Sequence, residues 1–318
     1  MEKLELGSSG IEIPPLCIGT WAWGDRLFFG KKHERSDLKE VYEKSLDAGI
    51  NFFDTAEVYG RGKSEKILGD CIAETKENNR PIIATKYAPQ IWRLRKKALI
   101  RALKKSLQRL CLPKIDLYQL HSSDNMEKWL DAIADAYHEG LIKAVGVSNF
   151  YPEEVKKAYE ILDNRGIKLA SVQMHYSLLY RKHEINGLLD LTKKLDVSFL
   201  GYMVLEQGTL TGKYSPANPP RGIWRRLEYR KKTLEKIQPL VSTMRKIGQK
   251  YGDKSPAQVA INYVLGKGII PIIGVRKASH LRSNLEVLDW SLDKQDVQRL
   301  DEITAASYQN IVKTSWKS

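Results

Sequence analysis

Four residues carry groups that together could deliver a proton to a carbonyl oxygen: Asp54, Tyr59, Lys86 and His121. Each lies just past a short run that reads as a strand. Ile50-Asn51-Phe52-Phe53 precedes Asp54 and Tyr59, Pro81-Ile82-Ile83-Ala84-Thr85 precedes Lys86, and Ile115-Asp116-Leu117-Tyr118-Gln119-Leu120 precedes His121. Carbonyl reduction takes a hydride at carbon and a proton at oxygen. A free phenol, with a pKa of about 10, is a poor proton donor at neutral pH. A lysine ammonium about 4 Å away, at an effective dielectric of about 20, favours the phenolate by about 4 kcal/mol. That is about three pKa units, so Tyr59 is expected at about 7, where general acid catalysis is efficient. Asp54 is the carboxylate expected to keep Lys86 charged, and His121 the donor that directs the substrate oxygen. Singly, each residue has an ordinary reading: a tyrosine that packs, a lysine in solvent, a structural histidine. Their recurrence in successive units is what points to chemistry.

These residues need a frame that brings strand ends to one face. Strand patterns begin near Leu16, Asn51, Pro81, Ile115, Ala144, Ala170, Ser198 and Ile269. Between them lie helical patterns such as Asp37–Ala48, Ala98–Leu110, Glu127–Glu139, Glu153–Asn164 and Glu184–Leu195, with turn glycines at Gly49, Gly140 and Gly166. Alternating βα units imply a parallel sheet. Eight of them imply an α/β fold of the (β/α)8 TIM-barrel type, whose C-terminal strand ends gather catalytic groups. An open doubly wound sheet would show GxGxxG after its first strand. Gly19-Thr20-Trp21-Ala22-Trp23-Gly24 does not match it. Leu4-Glu5-Leu6 and Ile11-Glu12-Ile13, on either side of a Gly/Ser turn, read as an N-terminal β-hairpin. The longest connection follows the seventh strand, from Gly208 to Ile269. It holds a proline-rich piece (Ser215–Pro220), a basic stretch, a helix over Thr233–Lys250, and a second helix opened by Ser255 as N-cap and Pro256. Such a loop at this face is expected to cover a ligand. Residues 1–318 are read as a single barrel domain.

Composition narrows the function classes. The chain has 318 residues, 42% of them hydrophobic, and a barrel needs about 250. No apolar run approaches the ~20 residues of a membrane span, and Met1–Glu5 is no signal segment. No membrane partner is expected. The three cysteines, Cys17, Cys71 and Cys111, lack metal or CxxC spacing. They read as small buried groups in a reducing cytoplasm, and no metal is expected. The net charge is +14, with basic clusters at Arg93–Arg109 and Arg221–Lys232. Nucleic-acid binding is one reading. The favoured one is a solvated helix face, because Leu94, Ala98, Ala102 and Leu103 keep an apolar stripe. The same charge can steer anionic cofactors or substrates toward the mouth.

In their local contexts these residues resemble the aldo-keto reductase superfamily. The carriers are Phe53-Asp54-Thr55-Ala56-Glu57-Val58-Tyr59-Gly60 with Ser64-Glu65 and Leu68-Gly69, then Ile115–His121, and Gly146-Val147-Ser148-Asn149-Phe150. Tyr202 with Gly208-Thr209-Leu210-Thr211-Gly212-Lys213-Tyr214, and Gly274-Val275-Arg276 with Asn284, complete the likeness from about Leu4 to Trp290. The resemblance implies an NADPH-dependent reductase of aldehydes and ketones, with Asp54, Tyr59, Lys86 and His121 as its tetrad. It implies that Ser148, Asn149 and Gln173 hold the nicotinamide amide and that Tyr202 stacks on the ring. Arg276 would pair with the adenosine 2′-phosphate, and Asn284 would contact adenine. Gly19, Thr20, Trp21, Asp54, Gly208, Leu210, Lys213, Gly274 and His280 fill out the implied cofactor contacts. Met203-Val204-Leu205 stands where the family often has Ser-Pro-Leu, and His280 and Ser283 replace commoner residues near the adenine. A small-molecule carbonyl substrate is expected. Trp21, Trp23, Tyr87, Trp92 and Trp224 are aromatic wall candidates, Trp23 foremost, alongside Tyr59 and His121. Trp92 and Trp224 also read as packing on a surface helix. The stretch Arg221–Arg226 is a candidate for an anionic substituent. The resemblance leaves open a cofactor-binding regulatory protein, as some relatives serve as channel subunits.

Overall fold

The computed structural model describes residues 2–24, 34–220 and 223–305. The hairpin forms from β1 (Leu4–Glu5) and β2 (Glu12–Ile13), with Leu4 opposite Ile13. Among the described residues, eight further strands follow. They are β3 (Cys17–Gly19), β4 (Phe52–Asp54), β5 (Ile82–Tyr87), β6 (Ile115–Leu120), β7 (Ile142–Ser148), β8 (Leu169–His175), β9 (Ser198–Tyr202) and β10 (Ile270–Gly274). Each pairs in parallel with the next, and β10 returns to β3 with Ile272 opposite Cys17, closing a (β/α)8 barrel. Every strand begins within two residues of its expected place.

Strand alternation explains how the site is positioned. Side chains two apart share a face, and the inward face changes character along each strand. Phe52, Ala84 and Leu117 belong to an apolar cluster inside the barrel. Two residues on, the same face carries Asp54, Lys86 and Gln119. The hairpin closes the lower end: Leu6 and Ile13 join the apolar cluster, and Gly7 N–H donates to Ser198 Oγ at 2.8 Å. The polar layer is thus left at the C-terminal mouth.

Three helical readings are corrected. The pattern over Glu184–Leu195 forms two helices, Lys182–Ile185 and Leu188–Lys194, because Gly187 takes a left-handed φ of 76° between them. The basic helix runs over Lys97–Leu110 and buries Leu99, Ala102, Leu103, Leu107 and Leu110. Leu94 precedes that helix and is exposed, so it is not part of the stripe. Trp92 is also largely exposed, not packed away against a helix as one reading has it. The Ser255 cap forms as expected, its Oγ accepting from Gln258 N–H. Cys17 and Cys71 are buried, whereas Cys111 is exposed in a left-handed turn. No helix of the described residues is long and apolar enough to cross a membrane.

Candidate active site

Tyr59 sits on a 3-10 turn, Tyr59–Gly62, just past β4. That turn presses on the short helix Trp21–Gly24 just past β3. Gly60, at φ 56°, lies so close to Gly24 that a Cβ would stand 2.4 Å from the Gly24 carbonyl oxygen. No larger residue fits there. The close approach sets Trp21 against Tyr59, with ring centroids 5.9 Å apart and nearly parallel. Thr20 ties the same corner down, its N–H and Oγ1 both donating to the Asp54 carbonyl at 2.9 and 3.0 Å.

The structure brings the four sequence-selected residues together. Lys86 Nζ is fully buried and donates to Asp54 Oδ1 and Oδ2, both at 2.7 Å, and to the Thr55 carbonyl at 2.7 Å. It reaches Tyr59 Oη at 3.5 Å and lies 5.1 Å from that ring's centre. Gln173 Nε2 donates to Asp54 Oδ1 at 2.8 Å. His121 meets the Tyr59 ring edge-on at 6.1 Å.

The charge balance overturns one expectation. Tyr59 does not approach a pKa of 7; burial, then Asp54, then Cys17 hold its phenol well above the ordinary value. The reason is where the lysine charge goes. Asp54 holds the ammonium at 2.7 Å with both oxygens, against 3.5 Å for Tyr59 Oη, and so weakens its field at the phenol without removing it. Tyr59 therefore keeps its proton at neutral pH. His121 is pushed down to about 3 by burial and by Lys86, so its imidazole is neutral.

A second histidine, His183, is pushed down to about 4, chiefly by burial. Both gain protons on unfolding, because a free imidazole titrates at about 6.5. Their share of stability is complete above pH 6.5 and is lost as pH falls toward the folded values. Each is expected to cost about 2 kcal/mol at pH 5 relative to pH 7. Thermal midpoints of wild type and His183→Gln, measured from pH 7 to 4, should converge as pH falls. A gap that stays constant would contradict this.

The implied nicotinamide contacts line one side of the mouth. Ser148 ends β7, Gln173 lies in β8, and Tyr202 ends β9. Asn149, at φ 61°, donates through Nδ2 to the His121 carbonyl at 3.0 Å and accepts from Tyr202 Oη at 2.6 Å. Behind Tyr202 stands an assembly the sequence did not reveal. His175 stacks between Tyr202 (5.6 Å) and Tyr180 (4.2 Å), and its Nε2 meets Glu206 Oε1 at 2.6 Å. Glu206 is fully buried and also accepts from Ser177 Oγ and, at 2.9 Å, from Tyr229 Oη. This hub anchors the chain after Met203-Val204-Leu205, where Glu206, Gln207 and Gly208 all take positive φ. The signal was present as a lone acidic residue in Leu205-Glu206-Gln207-Gly208, but only burial gives it meaning.

A cation cluster lies along the next segment. Arg225, nine-tenths buried, donates to the Gln207 carbonyl and to Tyr214 Oη, the latter at 2.9 Å. Burial and Arg225 hold Arg276 below the usual guanidinium range. Burial, Lys213, Lys277 and Arg276 lower His280. Cations packed this closely suit the phosphates of a dinucleotide, whose charge offsets their mutual repulsion. Arg225, the described member of the basic stretch that is also buried, approaches Gly208 and acts on Arg276. Gly274 and Lys213 are exposed, whereas Asn284 and Leu210 are buried.

Two substrate-wall expectations fail. Trp23 is 6% exposed; its indole N–H donates to the Val275 carbonyl at 2.8 Å and its ring packs on Phe53. Residues 21–24 are helical, so Trp21 and Trp23 point about 200° apart and only Trp21 faces Tyr59. Tyr87 alternates with inward Lys86 and points outward, where it packs on Trp129 beneath the Arg93 guanidinium. The Trp224 side chain and Arg221 lie outside the described residues.

Comparison with known proteins agrees with this geometry. The profile of the aldo/keto reductase family matches residues 15–305. The chain is 34% identical to the chloroplastic pyridoxal reductase of Arabidopsis thaliana, over 98% of this chain and 90% of that one. It is 30% identical to the aldo-keto reductase YhdN of Bacillus subtilis, over 95% and 93%. The solved glycerol dehydrogenase AKR11B4 of Gluconobacter oxydans superposes with a TM-score of 0.83 at 27% identity, covering 99% of both chains. A closed parallel barrel with these strand-end residues, matched along nearly its whole length, is a carbonyl reductase fold, and the chain belongs to the aldo/keto reductase family.

Proposed function

We propose that the chain reduces aldehydes and ketones to alcohols with NADPH, and that Tyr59 gives the proton. The observation that carries this is the fully buried Lys86–Asp54 pair with Tyr59 Oη 3.5 Å from Nζ. The dihydronicotinamide, when bound, supplies the hydride. Tyr59 keeps its proton ready at neutral pH, since burial and Asp54 disfavour the phenolate. As the substrate oxygen gains charge, it becomes the stronger acceptor for that proton. Lys86 then stabilises the phenolate left behind, at short range in a site that excludes water. Neutral His121 offers a ring N–H to the same oxygen, which fixes the face of the carbonyl. Ser148, Asn149 and Gln173 supply amide and hydroxyl groups suited to a carboxamide, and Tyr202 a flat ring for stacking. Pyridine-ring aldehydes head the substrate panel because a relative is a pyridoxal reductase. The test is NADPH oxidation with pyridoxal, aromatic and aliphatic aldehydes; no turnover while NADPH still binds would favour a cofactor-sensing regulatory protein.

Cofactor preference tests the cation cluster. Arg276→Ala should raise the KM for NADPH by about tenfold or more, because a charge-assisted phosphate contact is lost. The KM for NADH, which lacks the 2′-phosphate, should change much less. Equal changes would remove Arg276 from that role.

A further inference from the structure

The connection from β5 to the helix Lys97–Leu110 leaves the barrel beside the Tyr59 turn, and its base is firmly tied. Glu57 accepts from Ala88 N–H at 2.9 Å and from both arms of Arg93, at 2.5 and 3.0 Å. Arg93 also donates to the Ala88 carbonyl at 3.1 Å. Further along, Lys128 Nζ donates to the Leu94 carbonyl at 3.2 Å, and Lys96 pairs with Asp131. A loop held this well could fold its apolar side chains under. Instead Ile91 is 91% exposed, Trp92 70% and Leu94 74%. Arg95, Lys97 and Arg101 are exposed next to them and make no ion pair among the described residues. Lys104 and Lys105 continue the same helix face one turn on.

We propose that this rim docks on an anionic lipid surface. Ile91, Trp92 and Leu94 enter the headgroup region, and Arg95, Lys97 and Arg101 meet the lipid charges. Three apolar chains projecting from one tethered loop mark an interaction site. A bilayer interface accepts aliphatic and aromatic side chains without a matching pocket, while anionic headgroups draw in neighbouring cations. Nucleic acid would engage the cations and Trp92 but would leave Ile91 and Leu94 in water. The contact is peripheral, as no described helix can span a bilayer, and it does not depend on the proposed reaction.

The test is co-sedimentation of the whole chain with vesicles of phosphatidylglycerol and phosphatidylcholine, against phosphatidylcholine alone. Binding should favour the anionic vesicles by about tenfold or more and weaken with salt. Ile91→Ser with Trp92→Ser and Leu94→Ser should lower it by about tenfold or more, as should Arg95→Glu with Lys97→Glu and Arg101→Glu. Thermal midpoints confirm that these surface variants fold. Leu4→Ser, at the opposite pole of the barrel, should bind as wild type. Equal binding to neutral vesicles, a serine variant that binds as wild type, or a Leu4→Ser variant that loses binding would each overturn the proposal. So would single-stranded DNA that binds in place of vesicles, or a dimer that the serine variant dissociates without any vesicle binding.

Discussion

Tyr59→Phe is expected to lower kcat for carbonyl reduction by about 10³-fold, within the range for loss of a general acid. NADPH affinity, read by fluorescence quenching, should stay near wild type. The ring contacts explain why the change isolates the hydroxyl. Stacking on Trp21 and edge contact with His121 need only the ring. Among the described residues Tyr59 Oη has only the long 3.5 Å contact with Lys86 to lose, so the thermal midpoint should barely move. The raised phenol pKa gives a further signature. Reduction should not decline between pH 7 and 9 through loss of the Tyr59 proton, whereas alcohol oxidation, which needs the phenolate as base, should rise with pH. Equal loss of activity and cofactor binding in Tyr59→Phe would make this residue structural and sink the assignment.

Lys86→Met is expected to remove activity and also destabilise the barrel. Methionine fills similar space but leaves Asp54 buried, with Gln173 as its remaining side-chain donor among the described residues. Breaking one side of a buried pair costs about 3–5 kcal/mol. For a chain of this size that is a fall of about 5–7 °C in the thermal midpoint. Adding Asp54→Asn removes the stranded charge, so the double variant should recover most of the stability and none of the activity. This split separates the two roles of Lys86. If stability returned together with turnover, the ammonium would have no part in the reaction. If the single variant melted like wild type, the geometry around Asp54 would be wrong.

The barrel and the neighbourhood of the site were legible in the chain. Period-two alternation and apolar runs placed each strand, since side-chain direction along a strand is local. The same alternation put Asp54 and Lys86 two residues beyond inward Phe52 and Ala84. Local rules also fixed the Ser255 cap. Tertiary structure decided everything that depends on distance through space. The sequence supplied a lysine near a tyrosine, but only the fold shows Asp54 taking that lysine's charge and leaving Tyr59 protonated. Trp23 reads as the foremost wall residue in the chain, yet a single helical turn sends Trp21 to Tyr59 and buries Trp23. Glu206 reads as a loop acid until burial gives it three donors behind Tyr202. Trp92 and Leu94 read as packing residues, and only the fold shows that both stay exposed. Electrostatics and exposure fall on this side because both depend on which segments, remote in the chain, come to lie within a few ångströms of each other.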